Sequence, residues 1–344
     1  MTYETMVHHT SKGAAAAKSR SGVRVERLGK RFGDLWALRD VDLDAPAGSV
    51  LGLLGHNGAG KTTALRILTT LTAPTEGRAW VAGHDVVMQA ARVRERIGVA
   101  SQAATVDGLL SARANLELVG RLYHLPRAAA RQRAGELLER VALADVAEKL
   151  AKDFSGGMRR RLDLAAALVA APAVLFLDEP TTGLDPHSRN QLWELLREQV
   201  RDGATLVLTT QYLEEADVLA NRVGIIHRGH IVAEGTPDEL KNEVGKPRME
   251  LILAEGDQGA CMEVLGRFGA PLPPKDGKLM IEVAEGVAAI APVVRALDEA
   301  GILVESLDVV EPTLDDVFVD KTGQHLEGAE TGEPGTGETE VVAG

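Results

Sequence analysis

The stretch "VLGLLGHNGAGKTTALRILTTL", Val50 to Leu71, decides the fold. An apolar run reads as a buried strand, a glycine-rich turn follows, and the remainder has a helical pattern. Within it Gly55 to Thr62 matches G-x-x-x-x-G-K-[ST], and the strand before and helix after are the context this motif requires. Glycines let the backbone wrap a phosphate chain with its N–H groups inward, at a helix start whose dipole favours anions. Gly55, His56, Asn57, Gly58, Ala59, Gly60, Lys61, Thr62 and Thr63 are therefore the candidate phosphate cradle. Lys61 is placed to bridge the β- and γ-phosphates, and Thr62 to give its hydroxyl to Mg²⁺. The reading is a nucleoside triphosphate site.

Two further motifs agree with it. "AVLFLDEP", Ala173 to Pro180, is a buried-strand run that ends in adjacent carboxylates. Alternation at a strand end sends Asp178 and Glu179 in different directions. Asp178 suits a metal site, and Glu179 suits proton acceptance from a water aimed at the γ-phosphate. "FSGGMRRRLDLAAALVAAP", Phe154 to Pro172, opens a helix with Ser155, Gly156 and Gly157. Ser155 reads as an N-cap, and the two glycines clear space for a second anion socket. One chain then carries two phosphate-binding ends although each nucleotide needs one cradle. A head-to-tail homodimer, cradle of one copy facing the Ser-Gly-Gly helix of the other, resolves this.

Composition bounds the rest. At 344 residues the chain holds one large domain plus a small one, with 45% apolar and 26% charged residues. A net charge of −12 disfavours coating nucleic acid, so no nucleic-acid partner is expected. The Arg159–Arg161 triplet reads as a solvated helix face. Cys261 is the single cysteine and fits a reducing compartment. The longest apolar run, Leu164 to Leu177, is 14 residues with Pro172 inside it, short of the roughly 20 a bilayer requires. A soluble intracellular chain is expected.

Short β-rich runs alternate with helical patterns, which indicates a mainly parallel sheet. The expected organisation is a disordered arm at 1–21, a nucleoside-triphosphate-binding domain at 22–244, a small α+β domain at 245–323 and an acidic tail at 324–344. The break falls at "NEVGKPR", Asn242 to Arg248, and the tail carries five glutamates without Lys or Arg.

Together these motifs resemble the ATP-binding subunits of ABC transporters over roughly residues 23 to 240. "GHNGAGKT" is similar to that family's phosphate loop, "FSGGM" to its signature, "LFLDEP" to its metal strand and catalytic glutamate, and "GLDP" (Gly183 to Pro186) to its dimer-interface loop. The resemblance implies an α/β P-loop NTPase of the ABC ATPase type, with a helical subdomain and a small C-terminal α+β appendage. It implies ATP and Mg²⁺, Gln102 in "GVASQ" meeting metal or attacking water, and Asp185 in the interface loop. It puts Phe32 in "KRFG" at the adenine-stacking position, where plain core packing is an equal alternative. It also implies a separately encoded membrane permease, contacted through "AATVDGLLSARANLELVGRLYHL", and a place at the cytoplasmic face of the membrane. Phe154 and Met158 depart from the usual signature, whose Ser-Gly-Gly is intact.

Gln211 is the second departure. It follows "TLVLTT" 32 residues after Glu179, where the family usually has a histidine. An amide supplies donors and an acceptor together but does not gain a proton near neutral pH. Gln211 is thus expected to position groups, leaving Glu179 as the base. "TTQYLEEAD", "IVAEGTPDEL" and "EPTLDDVF" (Glu311 to Phe318) further resemble the ATP-binding proteins of daunorubicin-type drug-resistance exporters. That branch implies outward transport of an apolar drug or antibiotic. Related exporters of lipids or polysaccharides, and more distantly soluble ATPases acting on ribosomes or DNA, are the alternatives.

Overall fold

Val50–Leu54 is buried at every position and forms the central strand that carries the phosphate loop on its carboxyl end. Around it, the computed structural model describes residues 21–101, 106–255, 258–275 and 277–326. Gln102 lies outside the described residues.

In chain order the elements are β1 (Ser21–Phe32), β2 (Leu35–Pro46), β3 (Val50–Leu54), α1 (Lys61–Leu68), β4 (Glu76–Val81), β5 (His84–Asp85), α2 (Ala90–Arg94) and β6 (Ile97–Ala100). Helices α3 (Ala112–Leu122), α4 (Arg127–Arg140) and α5 (Gly156–Leu168) follow. Next come β7 (Val174–Asp178), α6 (Pro186–Arg201), β8 (Thr205–Thr210), α7 (Leu213–Leu219), β9 (Arg222–His227), β10 (His230–Gly235) and α8 (Pro237–Val244). The last part adds β11 (Arg248–Glu255), α9 (Gln258–Leu265), β12 (Ala270–Lys275), β13 (Lys278–Glu282), α10 (Ile290–Glu299), β14 (Leu303–Val310) and α11 (Leu314–Thr322).

The central sheet has the order β10-β9-β3-β8-β7-β6, and every pairing is parallel except that of β10. The inner parallel strands β3, β8 and β7 are buried on both faces, as parallel sheets are. Leu175 and Leu177 of β7 face the cluster built with α3, α4 and α5, while Val174 and Phe176 face the opposite core. That second core is closed by an antiparallel sheet of order β2-β1-β4-β5, which the motif reading did not anticipate. Leu54 pairs with Thr210 and Asp178 with Thr209, so the carboxyl ends of β3, β8 and β7 lie level. Ligands of open α/β sheets bind at this kind of edge.

The expected α+β appendage has its own core. Its sheet runs β12-β13-β11-β14, and Met249, Leu251 and Ile281 pack against Cys261, Leu265 and Val293 of α9 and α10. The unanticipated strand is β12, "APLPPK", whose prolines are tolerated because it is an edge. Helix α11 leaves this core and packs its Leu314, Val317 and Phe318 on Leu54, Val223, Ile225 and Leu240 of the larger body. The described fold also exceeds the expected 22–323: Ser21 opens β1, and Leu326 is buried beside α11. Among the described residues no helix is long and apolar enough to cross a membrane.

Candidate functional site

The turn after β3 is shaped by its glycines. Gly58 and Gly60 have φ of 80° and 118°, where side chains other than glycine are strained. A Cβ on Gly55 would lie 2.4 Å from the Ile226 carbonyl oxygen, so the loop presses directly on β9. Gly60 caps α1 without a side-chain hydrogen bond, leaving the first-turn N–H groups for an anion. A cleft of about 120 Å³ opens here, lined by Ala37, His56 to Gly58, Gly60 to Thr63, and Glu179.

Lys61 is only 4% exposed. Its Nζ donates to the carbonyl oxygens of Gly55 and, at 3.2 Å, of His56, and stands 3.9 Å from the Glu179 carboxylate. Burial lowers its pKa, opposed by the charges of Glu179 and Asp178. The ammonium thus sits inside the loop, held by groups a phosphate can replace.

Asp178 and Glu179 do divide their contacts. Asp178 accepts from the Thr209 hydroxyl through Oδ1, and its Oδ2 is 3.4 Å from the Thr62 hydroxyl. The Glu179 amide donates to the Thr209 carbonyl at 3.0 Å and the Thr209 hydroxyl at 3.2 Å. Glu179 has φ of 47°, a strained value for a non-glycine residue at a site edge. Thr209 is therefore the residue that fixes both acids, although nothing in motif spacing points to it. Its only trace in the sequence is a hydroxyl residue inside a run of fully buried strand positions.

The arginine triplet corrects an expectation. Arg159 to Arg161 are half-buried staples, not a solvated face. Arg159 donates to the carbonyls of Ala151 and Lys152, and Arg161 to that of Val141. Arg160 reaches across the sheet edge to the carbonyls of Ser101, Asp178, Glu179 and Pro180 at 2.7 to 2.9 Å. A guanidinium has five donors in a fixed fork, so one side chain can tie α5 to the end of β7 and to the residue that follows β6. Charge-pattern reasoning fails here because backbone carbonyls, the partners, are invisible in a sequence.

Ser155 is the N-cap of α5 and accepts from Met158 N at 3.3 Å. Space around Gly156 is open, while a Cβ on Gly157 would meet Ser188 Oγ at 2.9 Å. Asp185 caps α6, accepting from the Ser188 amide and hydroxyl, and these bonds lower its pKa. The signature and the "GLDP" loop are thus neighbours. Neither lines the cleft at Lys61, nor do Gln211 or Phe32. Gln211 is half-buried, one residue past the Leu54–Thr210 register pair. Phe32 is 54% exposed with Lys30 Nζ 5.0 Å from its ring centre, which removes the core-packing alternative.

Comparison with known proteins agrees with this geometry. Residues 38–182 match the ABC transporter family, and residues 235–322 match the C-terminal domain of DrrA1-3-like ATP-binding proteins. The daunorubicin resistance ATP-binding protein DrrA3 of Streptomyces coeruleorubidus is 50% identical over 304 residues, covering 88% of this chain and 96% of its own. The doxorubicin resistance ATP-binding protein DrrA of Mycobacterium tuberculosis is 44% identical over 88% of this chain and 92% of its own. Among solved structures, a dimeric ATP-binding cassette in a post-hydrolysis state bound to ADP and Pi aligns with a TM-score of 0.57 at 27% identity, over 62% of this chain and 98% of that one. The chain belongs to the ATP-binding proteins of ABC transporters, ATPases whose hydrolysis is coupled to transport. Within them it sits with the relatives that end in the DrrA-like C-terminal domain.

Behind the site lies a third carboxylate, Glu215 of α7, with no exposed surface. Its oxygens, Thr181 Oγ1 and Trp193 Nε1 are all buried without a well-formed hydrogen bond among the described residues. Burial pushes the Glu215 carboxyl up to about 7, opposed by Thr210, Thr181, Trp193 and Arg160. A raised carboxyl pKa means the folded chain holds a proton that the unfolded chain has released. Its contribution to stability therefore falls as pH rises from about 4.5 to about 7, and the penalty is complete above that. Glu215→Gln is expected to stabilise the protein at pH 8 by about 1–3 kcal/mol and to change little at pH 4.5. Urea unfolding of both proteins at the two pH values checks this; an equal difference at both contradicts it.

Proposed function

We propose that the chain is the ATP-hydrolysing subunit of an exporter, bound at the cytoplasmic face of the membrane to a separately encoded permease. It works as a homodimer that encloses ATP, and drives an apolar drug or antibiotic outward. The observation that supports the chemistry most is the meeting of Lys61, Thr62, Asp178 and Glu179 at one sheet edge. The drug-export reading rests on the relatives. Identity over 304 residues is 50% with the daunorubicin resistance protein and 36% with the Nod factor export ATP-binding protein I of Ralstonia nicotianae.

Thr62 Oγ1 and the Asp178 carboxylate form a hard-oxygen pair that fits Mg²⁺. Among the described residues no cluster of three metal-ligating side chains exists, which suits an ion that keeps waters and phosphate oxygens as most of its ligands. Mg²⁺ would neutralise charge on the β- and γ-phosphates. Gln102 joins this set by resemblance. In the proposed site Lys61 exchanges its loop carbonyls for the γ-phosphate, and Glu179 takes the proton of the attacking water. Gln211 links the phosphate to the interface loop. Ser155, Gly156 and Gly157 of the second copy close over the nucleotide, with Asp185 beside them, and Phe32 stacks on adenine. The permease docks on the helical subdomain, where Leu109, Leu118 and Leu122 are exposed apolar side chains.

Glu179→Gln is expected to bind ATP and lose about 10²–10⁴-fold in turnover, since the amide keeps the shape and not the base. Turnover above about a third of wild type would sink the assignment. Gln211→Ala should lose about 10- to 100-fold in hydrolysis with binding retained, and Gln211→His should stay active. Steady-state ATPase rates from pH 6 to 8.5 decide this, and an unchanged Gln211→Ala means the amide is inert. For the cargo, the subunit is reconstituted with its permease in vesicles. ATP-dependent, outward daunorubicin flux supports the reading, and flux of lipid alone contradicts it.

A further inference from the structure

The C-terminal motif "EPTLDDVF" has no part in the site described so far. Its helix α11 is set by a capping box: Thr313 Oγ1 accepts from Asp316 N at 3.2 Å, and Asp316 Oδ2 accepts from Thr313 N at 2.8 Å. Leu314, Val317 and Phe318, spaced i, i+3, i+4, form one apolar face. That face is no more than 2% exposed and covers Leu54, the last residue of β3 and the root of the phosphate loop. Lys321 ties the helix to Glu243 of α8 at 3.2 Å.

Phe318 goes further than the root. Its ring lies 5.0 Å from the His56 ring, centre to centre, at an interplanar angle of 77°. This is an edge-to-face contact with the second residue of the phosphate loop. His56 Nε2 is buried and has no hydrogen-bond partner among the described residues, so at that nitrogen no polar contact orients the imidazole. The His56 carbonyl in turn accepts from Lys61 Nζ at 3.2 Å and from Ala59 N at 3.1 Å. A continuous path thus runs from α11 through one ring pair to the lysine of the cradle. The appendage sheet is spliced between α8 and α11, two helices that pack on each other, so a force on the appendage acts on α11.

We propose that α11 is a positioning element of the nucleotide site: Phe318 sets the phosphate loop through His56, which couples the appendage to ATP binding. The proposal goes beyond the export reading and rests only on the loop being the ATP site. Because coupling is reciprocal, nucleotide also strengthens the docking of α11.

The test uses the full chain. Binding of the fluorescent analogue mant-ATP with Mg²⁺, ATPase KM and kcat, and thermal midpoints are measured for wild type, Phe318→Leu, His56→Ala, the double variant and Val317→Ala. Phe318→Leu keeps an apolar side chain of similar reach and removes the ring edge. It is expected to raise Kd and KM about 5-fold or more, with kcat within about 2-fold. His56→Ala should do the same, and the double variant should be no weaker than either single one. Val317→Ala loosens the same helix and keeps the ring pair, so it should lower the thermal midpoint and raise Kd clearly less than Phe318→Leu does. Hydrogen exchange of residues 314–322 should slow on adding the nucleotide in wild type and not in Phe318→Leu. Wild-type affinity in a folded Phe318→Leu, additive losses in the double variant, or an equal rise in Kd for Val317→Ala would each overturn the proposal. If wild type itself fails to bind mant-ATP, the ATP-site reading falls and the proposal falls with it.

Discussion

The buried ammonium of Lys61 is the constraint on which the site depends. Taking such a charge out of water costs several kcal/mol unless carbonyls and an opposite charge surround it. Here the Gly55 and His56 carbonyls and the Glu179 carboxylate do so. Those carbonyls can turn inward only where glycine permits the backbone, and Glu179 can stand 3.9 Å away only if β7 ends level with β3. The parallel order β3-β8-β7 supplies that alignment, and Thr209 locks it by bonding to both acids' residues at once. Arg160 then fixes the start of the next loop to the same edge through four backbone carbonyls. Nucleotide chemistry is thereby built on rigid strand ends, while the loop provides the adaptable contacts.

What was legible in the sequence is what chemistry confines to a short contiguous run. A phosphate loop needs its glycines, lysine and threonine within eight positions, so Gly55 to Thr62 announced both site and fold. The buried strands β3, β7 and β8 were equally visible, because double-faced burial demands an unbroken apolar run. Contacts made across long stretches of chain were hidden. Thr209 acts through β7, the arginine triplet through carbonyls of distant loops, and Phe318 through a ring 262 positions earlier. The sheet β2-β1-β4-β5 was legible only in part: "VRVERLGK" of β1 reads as a β-rich run, but its pairing into a separate antiparallel sheet with irregular register leaves no local signal. Proline concealed β12, since only its edge place makes "APLPPK" acceptable as a strand.

The match to the ABC transporter family spans residues 38–182, which hold the loop and its acids, and a second match, to the DrrA1-3-like C-terminal domain, spans residues 235–322. In the structure that segment is two things: a separate small core, and a helix returned to the root of the phosphate loop. Such a return sets Phe318 against the His56 ring, and the carbonyl of His56 is one of those that accept from Lys61.

On the proposed function, one chain has a cradle and a signature helix that serve different nucleotides. The most direct measurement mixes two inactive variants. Lys61→Ala removes the cradle of its own chain, and Ser155→Ala removes the cap offered to the partner. A mixed dimer retains one intact site, with Lys61 from one chain and Ser155 from the other. The account predicts that ATPase activity reappears on mixing and rises with the fraction of mixed dimers. Two folded variants that stay inactive at every ratio would contradict a site shared between copies.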